Sequence, residues 1–206
     1  MKIGLDLDNT IVNYVPAFSI VAKKLGLEIE SQGIGFREAL KSEGNEVWQL
    51  FQSMLYTEGL TFAEPAPGLF DFLRFSRAHL IDVSIVSHKT THTPKRFGRK
   101  DLREPALRWL ADFKIVPQLV DANRVRFCTT RAAKIRAIGE SNFDWFVDDL
   151  EPVLDDRQFP TQTIGWKYSS VGSRAHGDTM QLDQHRFSTF SFPELLEILQ
   201  SELNAC

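Results

Sequence analysis

The sequence predicts an α/β fold: a mostly parallel, doubly wound sheet interrupted once by a small helical insertion. Three observations carry that expectation. Apolar runs of strand length recur along the chain, and several end directly in polar residues able to do chemistry. Stretches with helical spacing alternate with those runs, as parallel strands require. Helical stretches also gather between the first run and the second, where the insertion is expected.

The first run is Lys2-Ile3-Gly4-Leu5, and it leads into Asp6-Leu7-Asp8-Asn9-Thr10. Alternation along an extended backbone sends Asp6, Asp8 and Thr10 toward one side. Two carboxylates then share a small volume, which calls for a cation or a proton. In isolation an Asp-x-Asp also reads as a strand end whose aspartates cap turns or a following helix.

Val15 to Leu25, Phe36 to Lys41 and Glu46 to Tyr56 show apolar residues at helical spacing and form the insertion. Trp48, Phe51, Met54 and Tyr56 read as its own core in preference to a stacking face for a ligand. Pro65, Pro67 and Gly68 punctuate the return, and Gly68 to Arg77 follows as a helix burying Leu69, Phe72, Leu73 and Phe75.

Ile81 to Val86 reads as the second strand, ending in Ser87-His88-Lys89-Thr90. Lys89, Lys95, Arg96, Arg99, Lys100 and Arg103 make the following stretch basic, either as a solvated loop or as a receiver for a second acidic group on a ligand. A metal pair of His88 and His92 is disfavoured, since no carboxylate-rich motif accompanies it. Val125 to Cys128 is another apolar run. Arg131 to Gly139 reads as a helix carrying Lys134, and Asp144 to Val147 as a strand ending in Asp148-Asp149, a doublet that could otherwise open a turn at Leu150-Glu151-Pro152. Thr161 to Trp166 is the expected last strand. Ser169 to Arg186 shows no readable chemistry. Ser191 with Glu194 three residues on is a capping box, opening a helix whose Leu195, Leu196, Leu199 and Leu203 form one apolar face expected to dock on the sheet.

Composition narrows the class. With 206 residues, 43% of them hydrophobic, the chain can build one domain with a sizeable core plus a modest insertion. A net charge of −3 with a pI near 6.0 argues against a general nucleic-acid partner. No apolar run is long enough for a membrane span, and the opening strand leaves no room for a signal peptide, so a cytoplasmic location is expected. Cys128 and Cys206 are too few for a disulfide framework and suit a reducing compartment.

The order Asp-x-Asp-x-Thr at Asp6, Asp8 and Thr10, then Ser87 after a strand, Lys134, and Asp148-Asp149 after another strand resembles the haloacid dehalogenase-like hydrolase superfamily, in its phosphatase branch. The resemblance covers about residues 1 to 155 in ordered fragments. It implies a Rossmann-like three-layer sandwich, with core 1–13 and 65–206 and a small helical cap at 14–64. It further implies a magnesium-dependent phosphatase acting on a small phosphorylated substrate through an aspartyl-phosphate.

Under that resemblance Asp6 is the nucleophile; a free carboxyl, with a pKa of ~4, needs no activating base. Asp8 is acid and then base, and it separates phosphatases from the dehalogenases of the superfamily, which lack it. Mg²⁺ is held by Asp6, the Asp8 main-chain carbonyl and Asp149, with Asp148 in the outer shell. Thr10, Ser87, the main-chain N–H of His88 and Lys134 serve the phosphate and its loop, with Lys89 and Lys114 as possible substitutes for Lys134. Phosphotransfer through the same intermediate, or a non-catalytic phosphate-sensing module, are the competing readings.

Overall fold

The computed structural model describes residues 1–27, 34–170 and 189–205. The first half of the chain gives β1 (Lys2–Leu5), β2 (Val12–Asn13), α1 (Val15–Lys24), α2 (Ile34–Ser42), α3 (Asn45–Leu55), β3 (Glu64–Pro65), α4 (Leu69–Ala78) and β4 (Asp82–His88). The second half gives α5 (Arg103–Asp112), β5 (Val125–Cys128), α6 (Arg131–Ser141), β6 (Trp145–Asp148), α7 (Glu151–Leu154), β7 (Ile164–Tyr168), β8 (Thr189–Phe190) and α8 (Phe192–Asn204).

Six strands form one sheet in the order β5-β4-β1-β6-β7-β8, and every neighbouring pair is parallel. From β1 the chain builds outward to β4 and β5 on one side, then crosses back to β6 on the other. The gap at the carboxyl ends of β1 and β6 is therefore the point where strand order reverses, the place where open α/β sheets hold ligands.

Side-chain alternation fills both faces of the sheet. Ile85, Trp145 and Val147 join one apolar cluster with Leu69, Phe72, Leu195 and Leu199, whereas Val86 and Phe146 join the other with Ile135, Ile138 and Leu154. Strands buried on both faces between helical layers make the three-layer sandwich. Gly4 matters to this packing: a Cβ there would stand 2.5 Å from Cδ2 of Phe146 and 2.8 Å from Phe143, so only glycine lets those rings lie against β1.

The insertion springs from a two-stranded neck, in which β2 and β3 pair antiparallel through Val12 with Pro65 and Asn13 with Glu64. Beyond it Phe18, Phe36 and Phe51 pack with ring centroids 5.2 to 6.0 Å apart. Phe51 is thus core, as expected, and Met54 is half-buried against it. These residues run without a break into the cluster that holds Ile3 and Leu5.

Several expectations need correction. The last strand begins at Ile164, because the chain turns through Thr161 to Thr163, and a further parallel strand, β8, follows. Helix α5 follows the basic stretch, where the sequence predicts no helix. The acidic doublet is followed by the short helix α7 in place of the simple turn considered for Leu150-Glu151-Pro152. Helix α8 has its capping box and buries Leu195 and Leu199 in the cluster of the sheet as expected, with Phe192 packed on Phe72 of α4 and Tyr168 of β7 at ring centroids 5.4 and 5.1 Å, but Leu203 stays exposed. Cys128 is a buried free thiol. Cys206 and most of the polar stretch 169–186 lie outside the described residues. No helix among the described residues is long and apolar enough to cross a membrane.

Candidate active site

Asp6 follows directly on β1, and its N–H still donates to the Val147 carbonyl of β6 at 2.9 Å. The strand ends there. Leu7 accepts from the N–H groups of Ile11 and Val12 at 3.0 and 2.9 Å, and Asn9 adopts a left-handed φ of 64°. The extended alternation expected through Thr10 is therefore replaced by a turn, which separates the two carboxylates. Asp6 points toward α6 and Asp8 toward the neck of the insertion.

Each carboxylate meets its own buried lysine. Lys134, 1% exposed on α6, places Nζ 2.5 Å from Oδ1 of Asp6 and 2.6 Å from Oδ2 of Asp148. Burial works to lower the Lys134 pKa, but Asp6 and Asp148 outweigh it and hold the ammonium above the ordinary lysine value. Burial pushes the Asp6 carboxyl well up; Lys134 opposes this, and Asp148, Asp149 and Asp8 add to it. One ammonium beside three neighbouring carboxylates leaves room for more positive charge.

The second lysine is Lys89, 3% exposed, whose Nζ lies 2.7 Å from Oδ2 and 3.0 Å from Oδ1 of Asp8. The Tyr14 hydroxyl donates to the same Oδ1 at 2.6 Å. Burial first, and then the Asp8 charge, raise the Tyr14 pKa well above its ordinary value, so the phenol keeps its proton and remains a donor. Sequence reasoning offered Lys89 only as a stand-in for Lys134 and passed over Tyr14. A signal for Lys89 existed: two residues after Ser87 at a strand end, it shares Ser87's side. Lys114, the other substitute, is exposed and lies away from the cluster.

Oxygens of Asp6, Asp148 and Asp149 all lie within 4.8 Å of one another. Carboxylates alone form a hard donor set that suits magnesium. Asp148 is already committed, with Oδ2 on Lys134 and Oδ1 accepting from the Leu150 N–H at 3.0 Å, so Asp149 is the better placed of the doublet to take a cation. Ser87 is 1% exposed at the end of β4, and its Oγ has no partner among the described residues. A buried hydroxyl kept without a partner costs stability, and this one lines the same crevice as Asp6, Asp8, Lys134 and Asp149.

Other expectations fare differently. Thr10 is fully buried, and its Oγ1 accepts the Asp149 N–H at 3.1 Å, so it ties the two strand ends together and orients the loop. His88 is exposed on the rim, with Nε2 3.3 Å from the Thr129 carbonyl. The main chain at His92 pairs with that at Asp101 in an isolated antiparallel bridge. The basic stretch is only partly solvated: Lys100 reaches Glu58 at 2.5 Å, and Arg96 donates to the Gln49 side-chain oxygen on α3.

The crevice measures about 420 Å³ and opens between the strand ends and the insertion. Trp48 and Tyr56 wall it, but neither ring is free: Lys41 Nζ sits 5.3 Å from the Trp48 ring with Phe51 stacked beside it, and Lys89 lies 4.7 Å from the Tyr56 ring.

No protein-family model matches the sequence, and no curated protein matches it either. Solved structures share its fold. One described as a "predicted phosphatase" from Clostridium acetobutylicum is 13% identical with a TM-score of 0.61, covering 97% of this chain and 98% of its own. Protein Tyrosine Kinase A of Mycobacterium tuberculosis is 15% identical at a TM-score of 0.62, with coverage of 96% and 97%. A HAD family hydrolase from Deinococcus radiodurans, with bound phosphate and sodium, is 12% identical at 0.57, with coverage of 97% and 95%. At such identities the likeness is one of fold.

Proposed function

We infer that this chain, which has the fold of the haloacid dehalogenase-like hydrolases and phosphatases, is a magnesium-dependent phosphatase that hydrolyses a small phosphate monoester through an aspartyl-phosphate. The observation that carries the reading is the cluster of Asp6, Asp148 and Asp149 at the sheet's reversal point, with Lys134 inside it and the unpartnered Ser87 hydroxyl beside it. Structural economy does not call for such a cluster, since buried carboxylates are costly to desolvate.

In this reading Asp6 attacks phosphorus, and the leaving oxygen takes a proton from Asp8. Asp8 then removes a proton from the water that cleaves the aspartyl-phosphate. Ser87 and the main-chain N–H of His88 donate to the phosphate oxygens, and Lys134 opposes the protonation of Asp6 that burial favours. Asp6, Asp149 and the Asp8 main-chain carbonyl would hold magnesium, which when bound supplies the charge that lets one anion approach another. Small substrates suit a crevice of about 420 Å³.

The test is release of inorganic phosphate from 4-nitrophenyl phosphate with and without magnesium, with Asp6→Asn as control. Metal-dependent turnover lost in that variant is expected; turnover that survives it removes Asp6 as nucleophile. Phosphotransfer to an alcohol would use the same residues, and a neighbour in fold is described as a kinase. Adding glycerol and comparing phosphate with nitrophenol released separates the two.

A further inference from the structure

We propose that Lys89 is a positioning residue which, with Tyr14, fixes the Asp8 carboxylate in one orientation and leaves a single oxygen position on it open to the reacting groups. The proposal rests on the phosphatase reading, in which Asp8 moves the proton. It adds two residues and one atom to that reading.

An ionised carboxylate has about four acceptor positions, two on each oxygen. Oδ1 of Asp8 accepts from the Tyr14 hydroxyl at 2.6 Å and from Lys89 Nζ at 3.0 Å, which fills it. Oδ2 accepts from Lys89 at 2.7 Å, so one position remains, on Oδ2. That position is where a leaving oxygen or an attacking water can meet Asp8.

Lys89 is itself held along its length. Its N–H donates to the Cys128 carbonyl at 2.8 Å, its carbonyl accepts from Arg103 Nε at 3.1 Å, and its ammonium lies over the Tyr56 ring. The residue that follows β4 thus grips Asp8 from one side, and the start of the insertion grips it from the other through Tyr14. Lys134 attends Asp6 and Asp148. The two buried lysines accordingly divide the work, one setting charge at the nucleophile and the other setting the aim of the proton carrier.

The experiment follows 4-nitrophenyl phosphate, whose leaving group departs without needing a proton, by stopped flow with magnesium present. Wild type must first show magnesium-dependent release; if it does not, the phosphatase reading fails and this proposal falls with it. In Lys89→Met and Lys89→Ala the expected result is a burst of nitrophenolate of about one per site, then steady turnover at least ~10-fold slower than wild type, because Asp8 no longer aims the water at the aspartyl-phosphate. KM falls together with kcat, so that kcat/KM, which reports formation of the aspartyl-phosphate, stays within about twofold, and propylammonium restores turnover in Lys89→Ala but not in Lys89→Met.

Turnover in both variants within about twofold of wild type overturns the proposal while leaving the phosphatase reading intact. So does a loss that removes the burst in equal measure and that the amine does not reverse, since this is the behaviour of a residue needed only for folding. Should the lysine variants not fold, Tyr14→Phe, which removes one hydroxyl, carries the test: a slower second phase after an undiminished burst supports the proposal, and unchanged turnover overturns it.

Discussion

The Thr10 hydroxyl accepts the main-chain N–H of Asp149 at 3.1 Å, joining the turn after β1 to the turn after β6 across 139 residues of sequence. Both partners stand at the carboxyl ends of adjacent strands, so one hydrogen bond fixes the spacing of the acidic groups on either side of the reversal point. Asp6 and Asp149 owe their approach to this tie as well as to the sheet.

Thr10→Val keeps the shape of the side chain and removes the acceptor. Loss of this part-buried hydrogen bond costs up to ~1–3 kcal/mol, and the urea midpoint should fall accordingly. The half-saturating magnesium concentration in the phosphatase assay should rise in the same variant. A midpoint and a metal dependence both equal to wild type would show that the tie has no energetic role.

Lys134→Met strands Asp6 and Asp148 in the interior. Removing one partner of a buried ion pair costs ~3–5 kcal/mol, measurable by denaturant unfolding. Adding Asp148→Asn to that variant should recover part of the loss, because one of the stranded charges is gone. Strict additivity of the two substitutions would mean that the lysine and the aspartate do not interact, against their 2.6 Å separation.

Much of this was legible because its causes are local. Chemistry-bearing residues directly behind apolar runs mark strand ends, and the Ser191–Glu194 capping box shows in four letters. The partners of Thr10 and Lys89 are not legible in the sequence because they lie 139 and 81 residues away. Lys89 also opens a run of cations whose composition reads as solvated loop, so nothing local sets it apart as the buried one. Helix α5 did leave a trace in Ala106, Trp109 and Leu110, buried at helical spacing within an otherwise polar stretch. The two-residue strand β8 left none, since its register comes from β7 beside it.

Asp8→Asn should slow turnover by at least ~10²-fold, the usual contribution of a positioned proton carrier. The amide still accepts hydrogen bonds from Tyr14 and Lys89 but no longer offsets the lysine charge, so a stability loss of ~1–3 kcal/mol should accompany it. The rate must therefore be compared well below the unfolding midpoint. Near-normal turnover there would move the proton transfer to another group.

Gly4→Ala tests the packing behind the site. The new Cβ would lie within 2.8 Å of two aromatic rings, closer than side-chain carbons approach, and Phe143 and Phe146 must shift to admit it. Overpacking of this kind costs ~1–3 kcal/mol. Thermal unfolding reads it, and an unchanged midpoint would mean that the rings move without cost.

Glu58 gives the surface a pH signature. Its hydrogen bond and ion pair with Lys100, and then its contact with Lys24, lower its pKa in the folded protein. A carboxyl whose folded value is depressed contributes stability above its unfolded pKa and loses it as pH falls through the folded value. Glu58→Gln should therefore be less stable than wild type at pH 7, and the difference should close as the solution is acidified below the ordinary glutamate range. Glu58 is about half exposed, so screening holds the effect below ~1 kcal/mol, and 1 M salt should erase most of it. A difference that persists at low pH or in high salt would show that the Lys100–Glu58 contact, which joins the basic stretch to the insertion, is held by packing and not by charge.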